Sequence, residues 1–390
     1  MEVKTICFLC FKFAKDWSGI ALSARRIVGH LLALGYRVHI VTPVKTVNPD
    51  FNVTSATFAI DGTYCSAVEL EPRLILHEIA ILNEHGRLPV ISFQKICKAI
   101  EILNDQYRFD LYHAFTFSAV YFTITVAKKN STPIIGSFRG VDGHTLLGSQ
   151  HLLPYLRSSL KAVDWITSVS SDLIRNVNRL EAVQKKSSVI FNGIDYENMP
   201  SWSIGSCNRG VIGTAAELRY KKGIHLLPSI FAMLDPKRRS AIHVIGQYSD
   251  DVERLRVASE IDRIGIANNW VYSGYLPRDV LLTEICKFHI FIIPSLHDGL
   301  PNALLEACSC GIPIVAANVS GMADVLTHGV DALLCEPGNP SSFSAAVDML
   351  LASDALCQKL SEGAKKLALH LNTRREKQQW QQLYNRFLNA

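Results

Sequence analysis

The chain has 390 residues, of which 48% are hydrophobic and 19% charged; that is enough apolar mass for two packed cores and too little charge for a disordered chain. No uninterrupted apolar run reaches the ~18–20 residues that cross a bilayer, and the short run MEVKTICFLCFK, with no small-residue cleavage site after it, is not expected to be a signal peptide. The net charge of +5 lies wholly in the first half, where residues 1–195 hold 21 Lys and Arg against 16 Asp and Glu, whereas 196–390 hold 19 of each; this suits an anionic partner or membrane surface as well as an ordinary basic surface, and without basic runs interleaved with aromatics it does not indicate nucleic acid.

Short apolar runs alternate with helical patterns along the chain, which predicts parallel sheets covered by helices. Residues 3–11 read as a first strand. After the loop FAKDWSG, the apolar residues Ile20, Ala24, Ile27, Val28, Leu31 and Leu34 recur at helical spacing and stop at Gly35. Strands follow at 37–41, 110–114, 133–137, 166–169 and 188–191, with helices at 118–129 and 155–163. The aperiodic stretch 199–210, MPSWSIGSCNRG, carries Pro, Gly and Ser and is the expected interdomain linker. A second series then begins, with strands at 211–214, 241–245, 270–272, 289–293 and 312–316 and helices at 224–234 and from Pro301. A charged helical segment closes the chain at 373–388. Two doubly wound domains of this kind bind ligands beyond the carboxyl ends of their strands. The ten cysteines are scattered through apolar runs and read as reduced core residues of a cytosolic protein. The pair Cys7 and Cys10 has no second pair at zinc spacing.

Residues 291–315, FIIPSLHDGLPNALLEACSCGIPIV, are the richest in chemistry. A buried strand ends at Pro294, a polar loop follows, and Pro301 suits the first turn of a helix that Gly311 and Pro313 terminate. Such a helix start carries about half a positive charge and turns free amides of Gly299, Leu300 and the first turn toward a ligand, a natural diphosphate site. Asp298 lies in the loop, and Glu306 lies two turns into an otherwise apolar helix. A buried acid needs a partner; a ribose diol satisfies it, and so does a neighbouring backbone group or lysine.

This segment resembles the E-x7-E region of the retaining GT-B glycosyltransferases of family 4 type, with Asp298 in place of the first Glu and Glu306 as the second. Further landmarks extend the resemblance over nearly the whole chain. Ser18-Gly19 stands where the family has Gly-Gly. DLYHAF (110–115) resembles D-x-x-H-A-H, with Phe115 for the second His, and GSFRGVD (136–142) carries Arg139 where a His is common. His113 reads either as a sugar or acceptor contact or as a structural histidine. VIGTAAELRYKKG (211–223) resembles the loop that brings an Arg and a Lys to the donor diphosphate. Lys222 matches the Lys, Glu217 stands in the Arg position, and Arg219 and Lys221 are placed to take over the neutralising role. NVSGMADVLTHGVDALL (318–334) is similar to a G-G-x-x-E stretch, with Asp324 for Glu and Ala332 for the last Gly.

The resemblance implies a GT-B α/β fold of two Rossmann-like doubly wound domains facing a central cleft. An acceptor-binding domain is expected at 1–200, a donor-binding domain at 201–370, and a helix crossing back to the first domain at 371–390. The implied reaction is transfer of a hexosyl group from a nucleotide-sugar to a hydroxyl acceptor with retention, without metal or cofactor, the nucleotide-sugar being a co-substrate. Catalytic roles fall to Asp298, Lys222, Arg219 and His113. Donor binding falls to Ser18, Gly19, Arg139, Lys222, Gly299, Leu300 and Glu306. A glycan or lipid-linked acceptor, cell-surface polysaccharide or glycolipid synthesis, and a cytoplasmic location at the inner face of the membrane are the context the family implies. The substitutions also leave open a weakly catalytic sugar-nucleotide-binding or scaffold partner, and a GT-B epimerase or phosphorylase is a further alternative.

Overall fold

The computed structural model describes residues 3–13, 18–44, 56–60, 63–81, 90–197 and 199–388. The chain divides into two compact units, one formed by Met1–Ile190 with Lys377–Ala390 and the other by Phe191–Glu376.

The first unit holds strands β1 (Thr5–Leu9), β2 (Arg37–Val44), β3 (Ala56–Ile60), β4 (Thr63–Glu71), β5 (Leu74–Ile81), β6 (Leu111–Phe115), β7 (Ile134–Phe138), β8 (Trp165–Ser168) and β9 (Ser187–Val189). They form one sheet in the order β3-β4-β5-β2-β1-β6-β7-β8-β9. All neighbours are parallel except the β3-β4-β5 meander at one edge. Strands buried on both faces need no polar alternation, and TICFL and IIGSF are buried throughout. The helix Gly19–Ala33 covers one face with Ala21, Ala24, Ile27, Val28 and Leu31; the sequence spacing marks the last four of these, whereas Ile20, which it also marks, is only half-buried.

The second unit holds β10 (Asn208–Ala215), β11 (Ala241–Ile245), β12 (Trp270–Gly274), β13 (Phe288–Ile293), β14 (Ile314–Ala317) and β15 (Leu333–Cys335). These form an all-parallel sheet in the order β12-β11-β10-β13-β14-β15. The stretch 199–210 is not a linker between units. Trp202, 2% exposed, anchors it in the second unit, donating its amide to the Cys310 carbonyl at 2.9 Å and its indole N–H to the Phe288 carbonyl at 2.8 Å. Aperiodicity and small polar residues do not exclude packing when one large apolar side chain is present. The helix Thr373–Leu388 passes into the first unit at Lys377, and its Trp380 and Tyr384 are fully buried in the core that contains Ile6, Phe8, Val38 and Ile40.

Candidate functional site

The strands β11, β10 and β13 are neighbours, so the loops leaving their carboxyl ends lie side by side in the second unit. In open parallel sheets ligands bind beyond these ends. Backbone bonds lace the loops together: Leu218 N–H donates to Gln247 O at 2.7 Å, Ser249 N–H to Leu218 O at 2.9 Å, and Leu296 N–H to Lys221 O at 2.8 Å. Gly223 makes the closest approach. Its φ is +69°, and a Cβ there would stand 1.9 Å from the Pro294 carbonyl oxygen. Only glycine lets the lysine-bearing loop touch the end of β13 in this way.

Charge in the site is paired with one exception. The Lys222 ammonium forms an ion pair with Asp298, both side chains being largely buried, and Ser295 Oγ donates to Asp298 Oδ2 at 3.4 Å. Burial pushes the Asp298 carboxyl up, but the charges of Lys222, Lys221 and Arg219 and the hydrogen bond from Lys222 outweigh it and hold the group below its usual range. Arg219 Nη2 lies 3.1 Å from Glu217 Oε2. The carboxylate in the family's arginine position is therefore neutralised within its own loop. Among the described residues Lys221 forms no ion pair, and burial, only partly opposed by Asp298, pushes its ammonium down to about 8.

The helix that follows begins at Asn302, with Pro301 as its extended cap residue (φ −69°, ψ 136°) and not its first helical residue. Proline has no side-chain acceptor, so the cap leaves the amide end of the helix to other partners. Gly299 and Leu300 are buried in the approach to it, and the Leu300 carbonyl accepts from Asn192 Nδ2 at 3.0 Å. Glu306 is 7% exposed and meets Arg278 Nε at 3.5 Å through Oε1. Arg278 and Asn192 are not among the site residues expected from the sequence. Asn192 belongs to the Asn-Gly turn signal of FNGIDYE (191–197), and Arg278 opens the helix Arg278–Ile285.

The first unit places its predicted residues differently. Ser18 is the N-cap of the helix Gly19–Ala33, its hydroxyl accepting from Ala21 N–H at 3.4 Å, and Gly19 is the first helical residue. Residues 14–17 of the loop before them lie outside the described set. Arg139 follows β7, is 9% exposed, and stacks its guanidinium 4.7 Å from the centre of the Phe115 ring. His113 is not a ligand contact. It is fully buried, with Nδ1 bonded to the Tyr384 hydroxyl and Nε2 to Ser137 Oγ at 2.7 Å. Phe8 and Trp380 pack against its ring. Burial first, and the Arg139 charge second, push it down to about 3, so it is a neutral imidazole whose two nitrogens serve the core.

Two family profiles match the chain. Residues 206–367 match the glycosyl transferases group 1, and residues 17–198 match glycosyltransferase family 4. The chain belongs to the GT-B glycosyltransferases of this group. A 2-deoxystreptamine glucosyltransferase of Streptomyces kanamyceticus is 26% identical over 146 residues, 37% of each chain. The chain spans only 28–37% of the length of this relative and of two 2-deoxystreptamine N-acetyl-D-glucosaminyltransferases. Among solved structures, sucrose-phosphate synthase of Thermosynechococcus elongatus superposes with a TM-score of 0.82 at 15% identity, over 99% of this chain and 100% of that one. Anabaena HepE in complex with UDP-glucose gives 0.73 at 17%, over 98% and 99%. At such identities these likenesses speak for the GT-B fold alone. In the second unit, Lys222 from the loop after β10 meets Asp298 from the loop after β13.

Proposed function

We propose that this glycosyltransferase moves a hexosyl group from a nucleotide-sugar to a hydroxyl acceptor, with retention of anomeric configuration and without a metal ion. The observation that carries the reading is the cationic loop at the end of β10, with Lys221 and Lys222 set beside the loop that leads into the helix Asn302–Cys310. As the glycosidic bond breaks, negative charge builds on the departing diphosphate, and fixed cations and helix amides lower the barrier where that charge appears. In this reading donor binding draws Lys222 from Asp298 toward the diphosphate. Asp298 and the amides of Gly299 and Leu300 then hold the donor sugar, while Glu306, shared with Arg278, holds the ribose diol. Arg219 is occupied by Glu217, so Lys221 supplies the second positive charge. The departing phosphate takes the acceptor proton, and no protein base is assigned.

In the first unit, Ser18, Gly19 and Arg139 are the groups we assign to an anionic or hydroxyl-rich ligand. HepE, solved with UDP-glucose, supports a nucleotide-sugar donor. The positive surplus in residues 1–195 supports a glycan or lipid-linked acceptor presented at the inner membrane face, in polysaccharide or glycolipid synthesis. No described helix is long and apolar enough to cross a membrane.

The test is calorimetric titration against UDP-, GDP-, ADP- and dTDP-sugars, with EDTA and then with Mg²⁺. Selective binding to one nucleotide, unchanged by EDTA, is expected. Absence of binding across the panel would favour a scaffold role, and binding that needs Mg²⁺ would overturn the metal-free part.

A further inference from the structure

The segment that carries Lys221 and Lys222 is closed on itself by two rings. Tyr220 and His225 stand on either side of both lysines, and their rings stack face to face, with centroids 4.3 Å apart and planes 4° from parallel. The Arg256 guanidinium lies over the same Tyr220 ring, 5.1 Å from its centre. Arg256 belongs to the helix Asp251–Ile264 and is itself held by Glu253, its Nη1 lying 3.2 Å from Glu253 Oε1. A further bond, from Ser229 Oγ to Glu260 Oε1 at 3.3 Å, joins that helix to the helix Leu227–Ala232, which follows the loop. The backbone turns tightly along this segment. Lys222 N–H donates to Arg219 O at 2.8 Å, Gly223 N–H to Tyr220 O at 2.8 Å and Leu226 N–H to Gly223 O at 2.9 Å.

This clasp is not core packing. Tyr220 is 50% exposed, and the turn Tyr220–Lys222 contains no fully buried residue. His225 Nδ1 is buried without a hydrogen-bond partner, a cost that a solvated histidine escapes. Ring stacking and a cation over a ring hold the tyrosine in place, and a side chain with only two torsions is ordered at little entropic cost. A loop ordered during folding does not have to be ordered again when its lysines meet an anion, so more of the contact energy appears as affinity.

We propose that Tyr220 is a positioning residue: clasped by His225 and Arg256, its ring holds the loop of Lys221 and Lys222 in the arrangement that receives a diphosphate. The helix Asp251–Ile264 thereby acts on donor binding through Arg256 and Tyr220. The consequence for binding rests on the nucleotide-sugar reading above; the clasp itself does not.

The experiment uses the full chain and has a ligand-free arm and a nucleotide arm. Hydrogen exchange without ligand, read by mass spectrometry, is expected to be several-fold faster over residues 219–226 in Tyr220→Leu and in His225→Leu. Tyr220→Phe and His225→Phe keep a flat ring and are expected to exchange as the wild type does. The urea midpoint of Tyr220→Leu is expected to stay close to that of the wild type, because the ring is half-exposed. In titrations with UDP, GDP, ADP and dTDP, Tyr220→Leu is expected to weaken the nucleotide that the wild type binds about tenfold, and Tyr220→Phe to restore it. Unchanged exchange in Tyr220→Leu, or equally fast exchange in Tyr220→Phe, would overturn the clasp. A fallen urea midpoint that accounts for the faster exchange would make Tyr220 a structural residue and overturn the positioning role, as would faster exchange with undiminished nucleotide affinity. A wild type that binds none of the four nucleotides would overturn the donor reading and the positioning role together, a failure visible before any variant is made.

Discussion

Glu217 and Arg219 are two residues apart, and the 3.1 Å contact between them sets a carboxylate against a guanidinium inside one loop. Lys222 is held in the same way by Asp298. In the proposed reaction, the cation left to meet an incoming diphosphate is Lys221, pushed down to about 8. The sign of its pH dependence follows: Lys221 is charged below about 8 and loses its proton above, so diphosphate affinity falls between pH 7 and pH 9 on its account. A charge-assisted hydrogen bond contributes about 1.5–3 kcal/mol, so Lys221→Met should weaken nucleoside diphosphate binding roughly tenfold to a hundredfold at pH 7 and flatten the fall toward pH 9. Calorimetry at both pH values on both proteins checks this. An equally steep fall in the variant would assign the titration to another group.

At the scale of elements, the loop 219–223 makes one close backbone approach, at Gly223. Gly223→Ala sets a Cβ against the Pro294 carbonyl, a backbone atom that has no rotamer to yield. Gly265 offers the control, since its φ of +76° is similar but nothing lies within 4 Å of the added carbon. Gly265→Ala should therefore cost only the left-handed strain of about 1–2 kcal/mol. Gly223→Ala should cost more and also weaken nucleotide binding, because it displaces Lys222. Urea unfolding of the two variants, with a nucleotide titration of each, separates clash from strain; equal losses of stability would show that the contact does not matter. Other elements lie outside what the sequence reading names. The meander β3-β4-β5 contributes Leu74 and Leu76 to one core and Cys65 and Ile79 to the other. A strand serving both faces lacks the apolar-polar alternation that marks a half-buried one.

For the whole molecule, the last residues complete the core of the first unit. Trp380 and Tyr384 are buried there, and Tyr384 reaches His113 across 271 positions of sequence. Trp380→Ala should lower stability by about 3–5 kcal/mol. Trp380→Phe should cost much less, since the Trp380 Nε1 is buried with no hydrogen-bond partner and losing it removes an unsatisfied donor. Thermal unfolding checks both. A near-native Tm for Trp380→Ala would mean that the helix contributes little to the first unit.

The parallel strand-helix grammar, a helix entered at Pro301 and the loops that carry Lys221, Lys222 and Asp298 were readable in the sequence, because periodicity, capping and loop composition are short-range properties. Partnership was not. Lys222 finds Asp298 76 positions away, and Glu306 meets Arg278 on a preceding helix. Trp202 makes a packed anchor of an apparent linker. His113 looks the same in the sequence whether it faces a ligand or a core; the burial that answers the question comes from Trp380 and Tyr384, at the far end of the chain. Local chemistry is written residue by residue, whereas desolvation and pairing depend on which distant side chains the topology brings within a few ångströms.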